Sequence, residues 1–162
     1  MAGKRDQSNG KNEKVVLVLG IGNPILTDDA VGLLVVQQLG DVTADVKEAA
    51  VGGVSLLDYI LGYSTVIIVD AVKKGDTPGT VSVLQEDEIK RALHASSTHD
   101  VSFFEALQIG RKLFPQEMPS RIVFVGIEVQ DTETFSETPT EPVRKAIPAA
   151  VNLVRNLVDS YK

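Results

Sequence analysis

The chain has 162 residues, 43% of them hydrophobic and 23% charged, which is the length of one domain and the composition of a folded globular protein rather than a disordered one. Its 22 acidic and 16 basic residues leave a formal net charge of -6, a balance that works against nucleic acid and anionic membrane surfaces as partners. Cysteine is absent, so disulfides, thiolate metal sites and thiol nucleophiles are excluded, and any metal must be held by oxygen or imidazole nitrogen.

The opening stretch MAGKRDQSNGKNEK is polar and lacks the apolar core of a secretory signal, and no apolar run approaches the ~20 residues of a membrane span. The expectation is a cytoplasmic protein with a flexible polar tail over residues 1–13 and a single α/β domain over 14–162. Lys14 to Leu19 is a continuous valine-rich run bounded by Gly20 and Gly22, which predicts a strand buried on both faces. A helix is predicted over Asp29–Gln38, where Ala30, Val31, Leu34 and Val35 recur at helical spacing. Thr27 or Asp28 is available as its N-cap and Gly40 as its stop signal. Asp45–Ala50 predicts a short strand, Gly52-Gly53 a turn, and Val54–Leu61 a short helix closed by Gly62. Thr65-Val66-Ile67-Ile68-Val69 is the strongest strand signal and ends in Asp70. Lys73–Gly79 is a turn cluster, after which Thr80–Leu84 predicts a strand returning antiparallel at an edge.

Glu86–Leu93 predicts a brief helix and His94–His99 a polar loop. The next helix is predicted from about Val101 to Leu113, with Ser102 and Glu105 spaced as a capping box and Asp100 as a rival cap. Arg121–Val129 predicts a strand, Gln130–Thr140 a loop, and Glu141–Tyr161 a helix that tolerates Pro142 in its first turn and kinks at Pro148. Such alternation of strands and helices predicts an α/β fold, a mostly parallel sheet with helices on both faces. In such folds the chemistry lies beyond the carboxyl ends of the strands.

That rule selects Asp28 and Asp29 after the first strand, Asp70 at the end of the most hydrophobic one, and His99 in the loop before a helix. Two carboxylates and one imidazole suit a divalent ion such as nickel, zinc or manganese and leave positions free for substrate. Asp28 reads as a helix cap rather than a ligand. Asp29 reads equally as a ligand or as a first-turn carboxylate favoured by the helix dipole. Asp70 is harder to explain without function, although strand-end aspartates also cap turns. His99 and, less so, His94 gain weight only in company. Glu128, near the end of the last strand, either supports the site from behind or faces solvent. Gly20-Ile21-Gly22-Asn23-Pro24 lacks the third glycine of a dinucleotide fingerprint, having Ile25 there, and neither a G-x-S-x-G elbow nor an H-E-x-x-H helix occurs.

The run from Gly20 through Asn23-Pro24 and Thr27-Asp28-Asp29-Ala30-Val31 to Gly32 resembles the opening signature of the nickel-iron hydrogenase maturation endopeptidases. The likeness continues in order through Ile67-Ile68-Val69-Asp70-Ala71-Val72, Pro78-Gly79-Thr80-Val81, Ser97-Thr98-His99-Asp100 and Gly126-Ile127-Glu128. This resemblance implies a three-layer α/β/α sandwich around a mixed, mostly parallel five-stranded sheet. It implies an endopeptidase that removes the C-terminal extension of a hydrogenase large-subunit precursor once nickel has been inserted. It assigns Asp29, Asp70 and His99 as the catalytic residues that contact the nickel. The nickel is carried by the substrate, another divalent metal being possible in the isolated protein; the sequence does not fix the oligomeric state, and a monomer docking on one large subunit is the default expectation. A metal so held would report that nickel is loaded, and would also polarise the scissile carbonyl or activate a water. Ala30 where many members have glycine, Val54 after Gly52-Gly53, and Val129 where many have proline bear on substrate choice. The rival reading is a non-catalytic metal- or partner-binding module of the same fold, and behind it stands a nucleotide-dependent oxidoreductase.

Overall fold

The structure, a computed structural model, describes residues 14–93 and 98–162, with the backbone alone for Lys14, 90–93 and 98–102. The tail over 1–13 and the start of the polar loop, His94 included, lie outside the described residues. Strand β1 (Lys14–Ile21) leads through a 3-10 turn over Thr27–Ala30 into α1 (Val31–Gln37) and then β2 (Asp45–Ala49). A second 3-10 turn over Gly53–Leu56 runs into α2 (Leu57–Ile60) and β3 (Tyr63–Val72). There follow β4 (Val81–Gln85), α3 (Glu86–Leu93), α4 (Thr98–Leu113), β5 (Arg121–Glu128) and α5 (Glu141–Ser160).

The five strands form one sheet in the order β2-β1-β3-β5-β4, parallel throughout except for β4, which pairs antiparallel with β5 at the edge. Strand side chains alternate between faces, so β3 sends Ile67 and Val69 into a core beneath α1 and α5. It sends Val66, Ile68 and Val72 into a second core beneath α2, α3 and α4. On α5, Val143, Ile147, Val151, Val154 and Val158 are buried at three- and four-residue intervals, the stripe that fastens a helix to a sheet. Pro142 lies in the first turn of α5, and the helix runs on through Pro148 to Ser160.

Among the boundaries that differ from the sequence expectation, two bear on the site. Strand β3 runs two residues past Asp70, and α4 begins at Thr98. His99 is therefore in the first turn of a helix rather than in a loop, and the Ser102 to Glu105 pair stands inside the helix instead of opening it. Local capping patterns are weak priors that tertiary packing overrides.

Helix α1 touches the sheet backbone to backbone. A β-carbon on Gly32 would lie 2.3 Å from the carbonyl oxygens of both Ile21 and Val69, and one on Gly20 would lie 2.5 Å from that of Gly32. No larger residue fits at either position without moving main chain. The chain leaves β1 sideways for β2 and leaves β3 toward β5 on the other side. Connections that diverge in this way open a crevice at the carboxyl ends of the two central strands.

Candidate active site

The crevice is a cleft of about 440 Å³. Asn23 and Asp29 line it from the segment after β1, Val51 and Gly52 from the loop after β2, and Asp70 and Lys73 from the end of β3. Phe103 of α4 and Glu133 from the loop after β5 complete its walls.

Asp70 lies on the β3 face that also carries Val66, Ile68 and Val72, where the strand leaves its core; it is half-buried, and its Oδ1 accepts the Ala71 N–H at 2.8 Å. Asp29 arrives by another route. After β1 the chain folds back so tightly that a β-carbon on Gly22 would lie 2.2 Å from the Asp29 carbonyl oxygen. The half-buried Asp29 carboxylate accepts the Asn23 N–H at 3.1 Å, which closes this turn. Two carboxylates from separate strand ends thereby line one cleft.

Asp28, beside Asp29 in sequence, does something different. It is fully buried, and its Oδ2 accepts the Gln130 and Asp131 N–H groups at 3.0 and 2.9 Å while its Oδ1 accepts the Thr140 N–H at 2.7 Å. The Thr140 hydroxyl donates to the same carboxylate instead of capping its own helix, α5. This corrects the cap expectation: Leu26 occupies the N-cap position and no side chain caps the turn. Successive residues of a 3-10 turn point about 120° apart, so neighbouring aspartates diverge, Asp28 into the 130–140 loop and Asp29 into the cleft. Thr27 holds a left-handed backbone (φ 39°) at a cost of about 1–2 kcal/mol. Offsetting that cost, its N–H donates to Ser136 O at 2.9 Å and its hydroxyl to Thr134 O.

Glu128 does not face solvent. It is buried, and its carboxylate accepts the N–H groups of Lys74 and Gly75 at 3.0 Å, which shapes the loop that carries Lys73 to the cleft. His99 stands one helical turn before Phe103, a cleft residue, and its side chain lies outside the described ones. Among the described residues no three His, Asp or Glu side chains gather closely enough to hold a metal ion by themselves. Nor is any helix among them long and apolar enough to cross a membrane.

Sequence reasoning missed Lys73, Phe103 and the loop after β5 as parts of the site. Lys73 had a signal, being the first cation after the Asp70 strand. Asp131, held below the usual carboxylate range by hydrogen bonds from Thr134 and then Glu133 and by the nearby Lys73 charge, had none.

This strand-end geometry agrees with comparisons to known proteins. The family profile described as HycI, hydrogenase maturation protease, matches residues 34–157, most of the chain and wholly beyond the Gly20–Gly32 signature. The chain belongs to the hydrogenase maturation protease family. The hydrogenase 2 maturation protease of Escherichia coli K12 is 30% identical over 149 residues, 84% of this chain and 90% of that protein. The hydrogenase expression/formation protein HupD of Rhizobium leguminosarum bv. viciae is 29% identical over 154 residues, 90% and 75% of the two chains. Among solved structures, the maturating endopeptidase HybD from E. coli matches with a TM-score of 0.79 at 27% identity, covering 90% of this chain and 92% of that one. HybD from Thermococcus kodakarensis matches with a TM-score of 0.72 at 25% identity, covering 88% and 98%. This maturation protease is accordingly an endopeptidase of hydrogenase processing, on the five-stranded mixed sheet expected for it.

Proposed function

We propose that this protease removes the C-terminal extension of a nickel-loaded hydrogenase large-subunit precursor, and that Asp29, Asp70 and His99 contact the substrate's nickel and carry the reaction. The observation that supports this most is the convergence of Asp29 and Asp70 on one cleft in a chain without cysteine. Nickel here belongs to the substrate. Carboxylate and imidazole donors complement an ion whose other ligands are soft, so productive docking depends on a loaded precursor. A carboxylate held in the cleft orients a water and takes its proton as the water attacks the scissile carbonyl. The protease acts as a cytoplasmic monomer, engaging one large subunit at a time.

The test is the intact mass of every hydrogenase large subunit in the native host, with the gene intact, deleted, or restored as Asp29→Asn, Asp70→Asn or His99→Ala. One subunit is expected to keep its extension in the deletion strain and in all three variants. Normal trimming in the deletion strain would remove the substrate assignment, and normal trimming by the variants would remove the site.

A further inference from the structure

The cleft is flanked by exposed apolar side chains that its chemistry does not require. Phe135 is 78% exposed and Ile25 is 48% exposed. They are neighbours by construction: Ser136 N–H donates to Ile25 O at 3.0 Å, Thr27 N–H donates to Ser136 O at 2.9 Å, and Leu26 and Ser136 form a parallel bridge. Residues preceding a parallel bridge on its two strands project from the same side, and that side is opposite to the bridged pair. Ile25 and Phe135 therefore stand together on one side of this bridge, next in the chain to Leu26 and two residues from Glu133, both of which line the cleft. After β2, Val51 in the loop and Val54 in the 3-10 turn over Gly53–Leu56 are 42% and 54% exposed, and Val51 is itself a cleft residue.

We propose that Phe135 and Ile25, with Val51 and Val54, form the docking rim for the protein substrate and set its specificity. The inference rests on the reading of the cleft as the place of cleavage. An endopeptidase must seat a polypeptide in that cleft, and a folded substrate that reaches it covers what borders it. The occupant is therefore the large-subunit precursor, meeting the rim with an apolar surface beside the scissile segment. Phe135 has the features of an anchor. It is a large aromatic, and its backbone is already ordered by the ladder to Ile25–Thr27 and, through Gln130, Asp131 and Thr140, by the Asp28 carboxylate. Little ordering entropy is then lost on docking, and such aromatic anchors carry a disproportionate share of binding energy.

The experiment measures precursor binding and cleavage together, using purified nickel-loaded large-subunit precursor and the full-length protease as wild type, Phe135→Ser, Ile25→Ser and Phe135→Leu. Urea denaturation verifies that each variant folds, and sedimentation gives its oligomeric state. For Phe135→Ser, Kd and KM are expected to rise about tenfold or more with kcat within twofold, Ile25→Ser to act in the same direction, and Phe135→Leu to restore most of the affinity. Unchanged Kd and KM in Phe135→Ser would overturn the docking rim while leaving the cleavage reading intact. A fall in kcat at constant KM would overturn it as well, since Phe135 would then act on the chemistry. A wild type that sediments as a dimer and falls to a monomer in Phe135→Ser would assign the surface to a second copy of this chain. If the wild type binds the precursor without cutting it, the cleavage reading fails, and the Kd comparison still decides the rim.

Discussion

Asp28→Asn isolates the contribution of one buried charge to the architecture of the site. The substitution keeps shape and volume but leaves a single acceptor oxygen where the carboxylate has two. If the new amide nitrogen replaces Oδ1 it confronts the Thr140 N–H, and if it replaces Oδ2 it confronts the N–H groups of both Gln130 and Asp131. The hydroxyl of Thr140 can turn to accept, but a backbone N–H cannot. At least one backbone donor therefore loses its acceptor, and the remaining bonds lose their charge assistance. Hydrogen bonds to charged groups contribute about 1.5–3 kcal/mol each, and a buried donor left unpaired costs a similar amount. The expected loss for Asp28→Asn is about 2–4 kcal/mol, or roughly 4–16 °C in Tm for a chain of this size. Asp28→Ala removes every partner and leaves a void, so its loss should be about 4 kcal/mol or more. Urea denaturation monitored by circular dichroism measures both as midpoint shifts at constant slope. Amide hydrogen exchange should show the lost protection concentrated at Gln130, Asp131 and Thr140. An asparagine variant within about 0.5 kcal/mol of wild type, or exchange that rises uniformly over the chain, would refute the role assigned to this carboxylate.

Gly32→Ala drives a methyl group against two carbonyl oxygens at 2.3 Å, so a loss of about 3 kcal/mol or more in urea denaturation is expected. In Gly52→Ala the new β-carbon meets nothing within 4 Å, and stability should hold within about 0.5 kcal/mol; equal effects of the two substitutions would contradict the close packing of α1 on the sheet. The Tyr63 hydroxyl, 2.6 Å from the Asp45 carboxylate, is pushed up to about 12, mainly by burial and then by the hydrogen bond and charge of Asp45. A raised pKa favours the neutral form in the folded state, so its contribution is complete below pH 10 and disappears as pH climbs through 12. The stability difference between wild type and Tyr63→Phe should therefore be constant up to pH 10 and shrink from 10 to 12, and a difference that stays level across that window would count against the assignment.

Much of the architecture was legible because it rests on local regularities. The valine- and isoleucine-rich runs at Lys14–Leu19 and Thr65–Val69 became the two central strands, where both faces are buried and no polar alternation is required. Thr80–Leu84 returned antiparallel at an edge, as its alternation predicted. The glycines of the first signature are explained by contact distances, since Gly20, Gly22 and Gly32 each stand where another main chain passes too close for a β-carbon. Where local patterns competed, tertiary packing prevailed. The Ser102 and Glu105 pattern lies inside α4, and its backbone extends to Thr98.

The site divides along the same line. Sequence by itself determined the parallel sheet and the choice of Asp29 and Asp70 as candidates, because periodicity and strand-end position are properties of the chain alone, and its Gly20–Gly32 motif carried the resemblance to the family. It set Asp28 apart from Asp29 as a helix cap, but could not show that the Asp28 carboxylate instead holds the 130–140 loop. Nor could it reveal Glu128 as the buried acceptor of the loop that carries Lys73, or Phe135 as an exposed neighbour of Ile25. Each of these depends on partners distant in sequence, 102 to 112 residues away for Asp28. A carboxylate's role follows from which donors surround it, and only the folding of β1, β3 and β5 side by side brings those donors together.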